Sequence, residues 1–192
     1  MKILVYDEGP KVSRFSQIVT EGVKRVCADF SEVVSQTGFR KTKNRTWVRI
    51  NDATAECIYF HRLGSTYGAP DNARIDIRVM LSVRVLNAPI AGGAIGIISD
   101  PARRTTGNAY HHRFNAETGS TYDRCLEELG LYMCEVAEPW FAEWRDPEKL
   151  MKHADLSTEA RKGLKSAMIG NTDPEAVAAS LKALGIKPPR LR

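Results

Sequence analysis

Three histidines on predicted strands are the residues of this chain best suited to acid–base or metal chemistry. His61 lies in AECIYFHRL, and His111 and His112 lie together in AYHHRFN. Imidazole is a common metal ligand and titrates near neutral pH, so such residues serve metal centres or general acid–base catalysis. A zinc site uses three or four ligands at recognisable spacing, which is absent here. His112 shares a predicted strand face with Tyr110 and Phe114, which favours a core position, so we expect no metal and no cofactor.

A basic cluster around one tryptophan is the second candidate site. Its members are Arg40, Lys41, Lys43, Arg45 and Arg49, with Trp47 among them. Cationic and aromatic side chains on one exposed sheet face bind single-stranded nucleic acid through phosphate contacts and base stacking. Outward residues of other strands would extend the surface: Arg62, Arg78, Arg84 and Arg113. The alternative is a solvated edge hairpin whose charges discourage aggregation, with Asp52, Glu56 and Asp76 interrupting the patch.

A glycine-rich segment and an aromatic segment could each belong to a binding site or serve only the fold. The glycine-rich AGGAIG, followed by a segment with Arg103 and Arg104, is of a type that cradles phosphates with backbone amides. Neither G-x-G-x-x-G nor G-x-x-x-x-G-K-[ST] occurs, which favours a loop between strands or an interaction arm. In PWFAEW, Trp140 and Trp144 share a helical face and are expected in the core, whereas Phe141 is expected to stay partly free as a binding anchor.

The composition favours an ordinary globular chain with a mild basic excess. Its 192 residues are 43% hydrophobic and 27% charged, with a net charge of +5. No apolar run reaches the ~20 residues of a membrane helix, and the first residues do not resemble a secretory signal. The cysteines lie in apolar stretches without CxxC spacing: Cys27, Cys57, Cys125 and Cys134. We therefore expect a reduced, cytoplasmic protein that does not bind membranes.

The strand that must position these side chains is Ala73–Asn87. It alternates six aliphatic residues, from Ile75 to Val85, with polar ones, which predicts a long strand with one buried face. Before it, a helix is predicted from Lys11 to Gly38, followed by strands in the segments GFRKTKNRTWVRI and AECIYFHRL. Short connections between these strands favour an antiparallel meander, and AYHHRFN adds a fourth strand.

The second half of the chain is predicted to be mainly helical. A long amphipathic helix runs from Tyr122 to Trp144 and bends or restarts just before PWF because of Pro139. Capping residues then begin shorter helices: Asp146, Ser157 and Asp173. We predict an α+β fold with an antiparallel sheet of about four strands and two long helices on one face. We predict that the chain divides into an α+β domain over residues 1–150 and a helical extension with a basic tail over residues 151–192.

The order of these pieces resembles a bacterial family, the domain of unknown function numbered 4304. The matching pieces are TGFRKTKNRTWVR, the IYFHR and IDIRVMLSV strands and AEPWFAEW, which span roughly residues 15–150. The resemblance implies a small α+β domain and carries no catalytic residue, cofactor or partner. The glycine-rich segment and the residues after His153 depart from the family and inherit nothing from it.

Three functional hypotheses follow. The favoured one is a non-catalytic bacterial interaction module, of the immunity or adaptor type, that binds a protein partner through the second sheet face and the segment Ala88–Asn108. It depends on the absence of catalytic motifs and on the arginines of that face. Nucleic-acid binding is the alternative, and an enzyme with a histidine site is the third. The candidate binding residues are Arg40, Lys41, Lys43, Arg45, Trp47, Arg49, Arg78, Arg84, Arg103 and Arg104.

Overall fold

A computed structural model describes residues 14–64, 69–91, 93–98 and 108–187 of the chain. The strands are β1 (Arg40–Lys43), β2 (Thr46–Ile50), β3 (Thr54–Arg62), β4 (Arg74–Val85), β5 (Ala94–Ile98) and β6 (Arg113–Asn115). The helices are α1 (Arg14–Ser35), α2 (Tyr122–Tyr132), a π-helical turn (Met133–Ala137), α3 (Glu138–Trp144), α4 (Pro147–Met151), α5 (Thr158–Met168) and α6 (Pro174–Ala183). The predicted α+β class and antiparallel sheet are confirmed. Met1–Tyr6, a segment that the sequence leaves open between an edge strand and an ordered tail, lies outside the described residues.

The sheet is an antiparallel meander in the order β1-β2-β3-β4-β5, and β6 also pairs with β4. Ile77 donates its backbone N–H to His112, and Val85 donates to Gly93. These two β4 residues are an even number of positions apart, so their N–H groups point to the same edge of the strand. β5 and β6 therefore lie end to end along one edge of β4, and β3 occupies the other edge.

The prediction of four strands is wrong, because the described residues form six. β1 has four residues, three of them cationic, and shows no apolar alternation that would identify it. In β5, Gly96 stands where a Cβ atom would lie 2.8 Å from the carbonyl oxygen of Leu81. Here the glycine permits close strand approach instead of breaking the strand.

One face of the sheet, the core face, is covered by α1, α2 and α3. The six aliphatic residues of β4 pack there, all at most 7% exposed, as their alternation predicted. α1 contributes Val19, Val26, Phe30 and Val34, and Gly38 after it has the left-handed φ expected of a residue that ends a helix. Both predicted long helices therefore pack on one face, but the second is interrupted by the π-turn.

The π-turn precedes Pro139, where the sequence predicted a bend or a restart. α3 begins at Glu138, whose N–H bonds to the carbonyl of Met133 five residues earlier. Proline has no N–H to donate, and its ring would clash with the carbonyl four residues before it in a regular α-helix. The wider turn accommodates the proline, and helical backbone continues through it from Tyr122 to Trp144.

The C-terminal helices contact both faces of the sheet. Leu156, Ala160 and Leu164 belong to the same apolar cluster as α1 and β4. Leu181 and Leu184 of α6 pack on the opposite face, against residues such as Val48 and Cys57. The predicted caps are confirmed, because the side chains of Asp146, Ser157 and Asp173 accept backbone N–H bonds at the starts of their helices.

Candidate binding surface

The second face of the sheet is covered by α6 over one part and carries half-exposed side chains over the rest. The covered part includes Val48, Ala55 and Cys57, each at most 6% exposed. We call the remainder the open face and define it by six half-exposed residues of β3 and β4: Tyr59, His61, Arg78, Met80, Ser82 and Arg84.

Strand register fixes the neighbours on the open face. Tyr59 lies between Thr46 on β2 and Met80 on β4, and His61 lies opposite Arg78. Side chains directly opposite each other on antiparallel strands have Cβ atoms about 4.5–5.5 Å apart. The guanidinium of Arg45, in the β1–β2 turn, lies 5.7 Å from the centre of the Tyr59 ring. These residues therefore form one continuous surface.

Arg84 is the most enclosed cation of this surface. Its Nη2 donates to the carbonyl oxygen of Ile90 at 3.1 Å, while its buried Nη1 has no hydrogen-bond partner among the described residues. Desolvation by burial lowers the pKa of the Arg84 guanidinium. The contact places Ile90, which is 46% exposed, at the edge of the open face.

Trp47 and Arg49 do not lie on the open face, contrary to the prediction of an exposed basic and aromatic cluster. Trp47 is fully buried on the core face, and its Nε1 donates to Ser31 Oγ at 2.9 Å. Its ring centre lies 4.9 Å from that of Phe30 and 4.7 Å from that of Phe60. A ring enclosed in this way has no face available for stacking on a base.

Arg49 belongs to a partly buried ion cluster with Glu56, Glu138 and Arg145, in which Glu56 alone is fully buried. Arg49 Nε donates to Glu56 Oε2 at 2.5 Å, and its two terminal nitrogens donate to the two oxygens of Glu138 at 2.9 Å. Arg145 Nε donates to the other oxygen of Glu56 at 2.9 Å. Burial would lower the pKa of Arg49, but the hydrogen bonds and charges of both carboxylates outweigh burial and raise it.

The remaining cations of the predicted cluster have separate surroundings. Lys43 Nζ donates to the carbonyl oxygen of Ala183 at 2.5 Å and thereby fixes the end of α6 to β1. Lys41 lies at the rim of the core face, 5.9 Å from the Trp47 ring. Arg40 is exposed opposite Val48. Arg103 and Arg104, also predicted as binding residues, lie outside the described residues.

The acids that were expected to interrupt the basic surface are largely removed from it. Glu56 is 0% exposed and faces the core, where it bonds to two arginines. Asp76 is paired with Arg74, whose Nε donates to it at 2.7 Å. Asp52 lies in the exposed β2–β3 connection. Asp76 alternates with Arg78 on the same side of β4, so it is a carboxylate beside the open face, and Arg74 compensates its charge.

The three histidines do not form one site among the described residues. β4 lies between β3, which carries His61, and the β6 edge, which leads back to His111 and His112. Two strand spacings separate the backbones by about 10 Å. The ring of His112 stacks on Tyr110 and meets Tyr132 edge-on at a distance of 5.4 Å. Burial lowers the pKa of His112 to about 4, so it is neutral at physiological pH.

The aromatic cluster after Pro139 also differs from its prediction. Phe141, expected to stay partly free, is fully buried and packs 5.4 Å from the Phe39 ring. Trp140 and Trp144 are half-buried beside the core. The π-turn advances the helix by an additional residue, which changes the face that α3 presents to the sheet.

Sequence reasoning missed Glu138 as the partner of Arg49 and Arg145 as the partner of Glu56, and it missed Tyr59 as the aromatic residue of the open face. The two residues of each pair, Arg49–Glu138 and Glu56–Arg145, lie 89 positions apart along the chain, so no local pattern indicates the contact. Tyr59 had a usable signal, because it alternates with His61 in AECIYFHRL and faces the same side.

Comparison of the chain with known protein families, curated proteins and solved structures finds no match. The resemblance to the family numbered 4304 stays a prediction. In the described ranges, no three His, Cys, Asp or Glu side chains are placed to hold a metal ion. No helix among the described residues has the length and apolar surface needed to cross a bilayer.

Proposed function

We propose that the chain is a non-catalytic interaction module, of the immunity or adaptor type, which binds a protein partner through the open face. The observation that carries the proposal is the composition of that face, where Tyr59 and Met80 lie among arginines and the one nearby carboxylate, Asp76, is paired with Arg74. Tyrosine, methionine and arginine are enriched at protein interfaces, whereas lysine, aspartate and glutamate are depleted. The complementary partner carries an acidic patch around an apolar centre.

The strand β5 and the segment next to it extend this surface. Ser82 and Gly96 are opposite each other on β4 and β5, so small side chains leave the centre shallow. Ile90 provides an exposed apolar side chain at the edge. The segment Ala88–Asn108, of which residues 88–91 and 93–98 are described, is included in the proposed interface. A cytoplasmic location stays part of the proposal.

Affinity capture from a lysate of the source organism, with and without nuclease, tests this function. We expect a stoichiometric protein partner that survives nuclease treatment and whose retention falls at least tenfold with Met80→Glu, because a carboxylate would face the acidic partner. Met168→Glu is the matched control, because Met168 is 45% exposed on α5 and lies outside the open face. Retention unchanged by Met80→Glu, with the fold intact by circular dichroism, would contradict the proposal.

Nucleic-acid binding is the second candidate, and the contact of Arg45 with the Tyr59 ring favours it. An arginine beside an exposed aromatic ring offers phosphate and base contacts side by side. With Trp47 buried, Tyr59 is the one aromatic ring on the open face, which is fewer than a stacking platform uses. This candidate predicts that captured material disappears with nuclease and that binding of a labelled single strand weakens steeply with salt.

A further inference from the structure

A groove on the α1 side of the β1–β2 turn is distinct from the open face and meets it at Arg45. It has a volume of about 300 Å³. Its polar lining comes from three elements: Ser16, Thr20 and Lys24 on α1, Asn44 and Arg45 in the turn, and Arg62 at the end of β3. Pockets for small ligands begin at about this volume.

Positive charge in the groove exceeds negative charge. Lys24 Nζ donates to Glu21 Oε1 at 2.6 Å, in a pair whose side chains are both largely exposed. Neither Arg45 nor Arg62 forms an ion pair within the described residues, and the contact of Arg45 is with the Tyr59 ring. Asp71 lines a neighbouring groove that also includes Arg62. Two arginines and a lysine thus line the groove, its described lining includes no carboxylate, and Glu21, which pairs with Lys24, is the acid next to it.

The backbone of Arg45 provides an independent observation. Its φ is 64°, in the left-handed region, and the hairpin that contains it has an irregular register between Lys41 and Lys43. Glycine or asparagine is the usual residue in this conformation of a bulged hairpin, because other side chains are strained there. Stability alone therefore does not account for arginine at position 45. Strained residues of this kind cluster at functional sites.

We propose that this groove binds the phosphate group of a small phosphomonoester, through Arg45 and Arg62 with Lys24 at its margin. A guanidinium presents paired N–H donors that match the oxygens of a phosphate, and a doubly charged monoester benefits from several cations. Asn44 adds an amide donor at the turn. The inference goes beyond the proposed function, because it assigns a ligand site outside the protein-binding face.

Isothermal titration with inorganic phosphate and with adenosine monophosphate tests the site, and adenosine serves as the probe without phosphate. We expect the wild-type chain to bind both phosphate probes and not adenosine. Arg62→Gln is expected to lower the affinity for the monophosphate at least tenfold. Lys165→Gln, an exposed residue on α5 with the same charge change, is expected to leave that affinity unchanged.

Arg45→Gly separates a binding role from a structural one. It relieves the left-handed conformation, so we expect the melting temperature to rise by about 2–4 °C, the shift typical of a modest stabilisation in a chain of this size. At the same time the affinity for phosphate is expected to fall at least tenfold. A variant that is more stable and binds less well cannot owe its loss to misfolding.

Three results would overturn the proposal. One is a wild-type chain that binds neither phosphate probe. Another is binding that Arg45→Gly and Arg62→Gln leave unchanged. The third is binding of a single-stranded oligonucleotide with no binding of phosphate or the monophosphate, which would assign the groove to nucleic acid. None of them depends on capture of a protein by the open face, so the two proposals fail separately.

Discussion

Glu56 shows how one residue can join the sheet to a helix. It is a carboxylate with 0% exposure on the core face of β3, and each of its oxygens accepts a bond from a different arginine. Glu138 completes the cluster by binding the terminal nitrogens of Arg49. Two acids and two arginines balance in charge. This balance makes the burial tolerable, since the desolvation cost of an isolated charge is high.

We predict that Glu56→Gln lowers the free energy of unfolding by about 2–4 kcal/mol, because it leaves two arginines without their shared buried carboxylate. Urea denaturation followed by circular dichroism measures this difference. Glu143→Gln is the control, since Glu143 is an exposed residue of α3 and should change stability by less than about 0.5 kcal/mol. Equal stability of the two variants would mean that the cluster contributes nothing net to the fold.

At the scale of elements, α5 packs directly against Asn87 after the end of β4, and the contact at Gly163 leaves no space for a side-chain atom. Asn87 Nδ2 donates to the carbonyl oxygen of Gly163 at 3.0 Å, and Asn87 Oδ1 accepts the backbone N–H of Asp173 at 2.7 Å. A Cβ atom at Gly163 would lie 1.8 Å from the carbonyl oxygen of Asn87. Only glycine therefore allows the helix to approach the turn this closely.

Gly163→Ala is predicted to lower the free energy of unfolding by about 2–4 kcal/mol, because the helix must move away from Asn87. Gly130→Ala in α2 is the matched substitution, since its Cβ would lie at an ordinary 3.6 Å from Val33. That variant should gain up to about 1 kcal/mol from helix propensity. Thermal denaturation of both proteins gives the comparison, and a loss in Gly130→Ala as large as that in Gly163→Ala would contradict the packing argument.

For the molecule as a whole, α6 determines how much of the second sheet face is covered. It packs Leu181 and Leu184 over Val48 and Cys57, and Lys43 holds its C-terminal end. Burial raises the pKa of the Cys57 thiol to about 11 and keeps it unreactive, whereas Cys134 is exposed. Thiol reactivity therefore reports on the docking of α6. The proposed domain boundary at residue 150 stays a prediction.

We predict that a chain ending at Thr172 exposes Cys57 while the rest of the fold persists. In the full-length protein, iodoacetamide at pH 8 should modify Cys134 alone within minutes, as read by intact mass. In the shortened chain a second site, Cys57, should react, while Cys27 and Cys125 stay protected on the core face. Modification of all four cysteines would instead show that α6 is required for folding.

The sequence correctly predicted those helices and strands that have one buried face and one solvent-exposed face. The aliphatic residues of β4 and the stripe of α1 identify their elements because one side of each meets the core and the other does not. The three helix caps were predictable for a local reason, since the capping side chain bonds to backbone within three residues.

β2 shows why other parts could not be predicted. α1 covers one side of this strand and α6 the other, so Trp47 and Val48 are both buried although they point to opposite faces. Alternation then no longer tells which face is exposed, and the basic cluster was placed on the wrong side. The sequence predicted an arginine-rich second sheet face. Which residues of that face stay exposed depends on the position of α6, which the sequence does not indicate.

The sequence separation within the ion cluster has a consequence for synthesis on the ribosome. β1 to β4 are complete once Val85 has been made, but Arg145 lies 89 positions beyond Glu56. At 5–20 residues per second, about 60 further residues take roughly 3 to 12 s. During that interval α2 and α3 are missing, and α1 alone can shield the aliphatic side of the nascent meander. Translation speed between β4 and α3 should therefore affect the yield of folded protein.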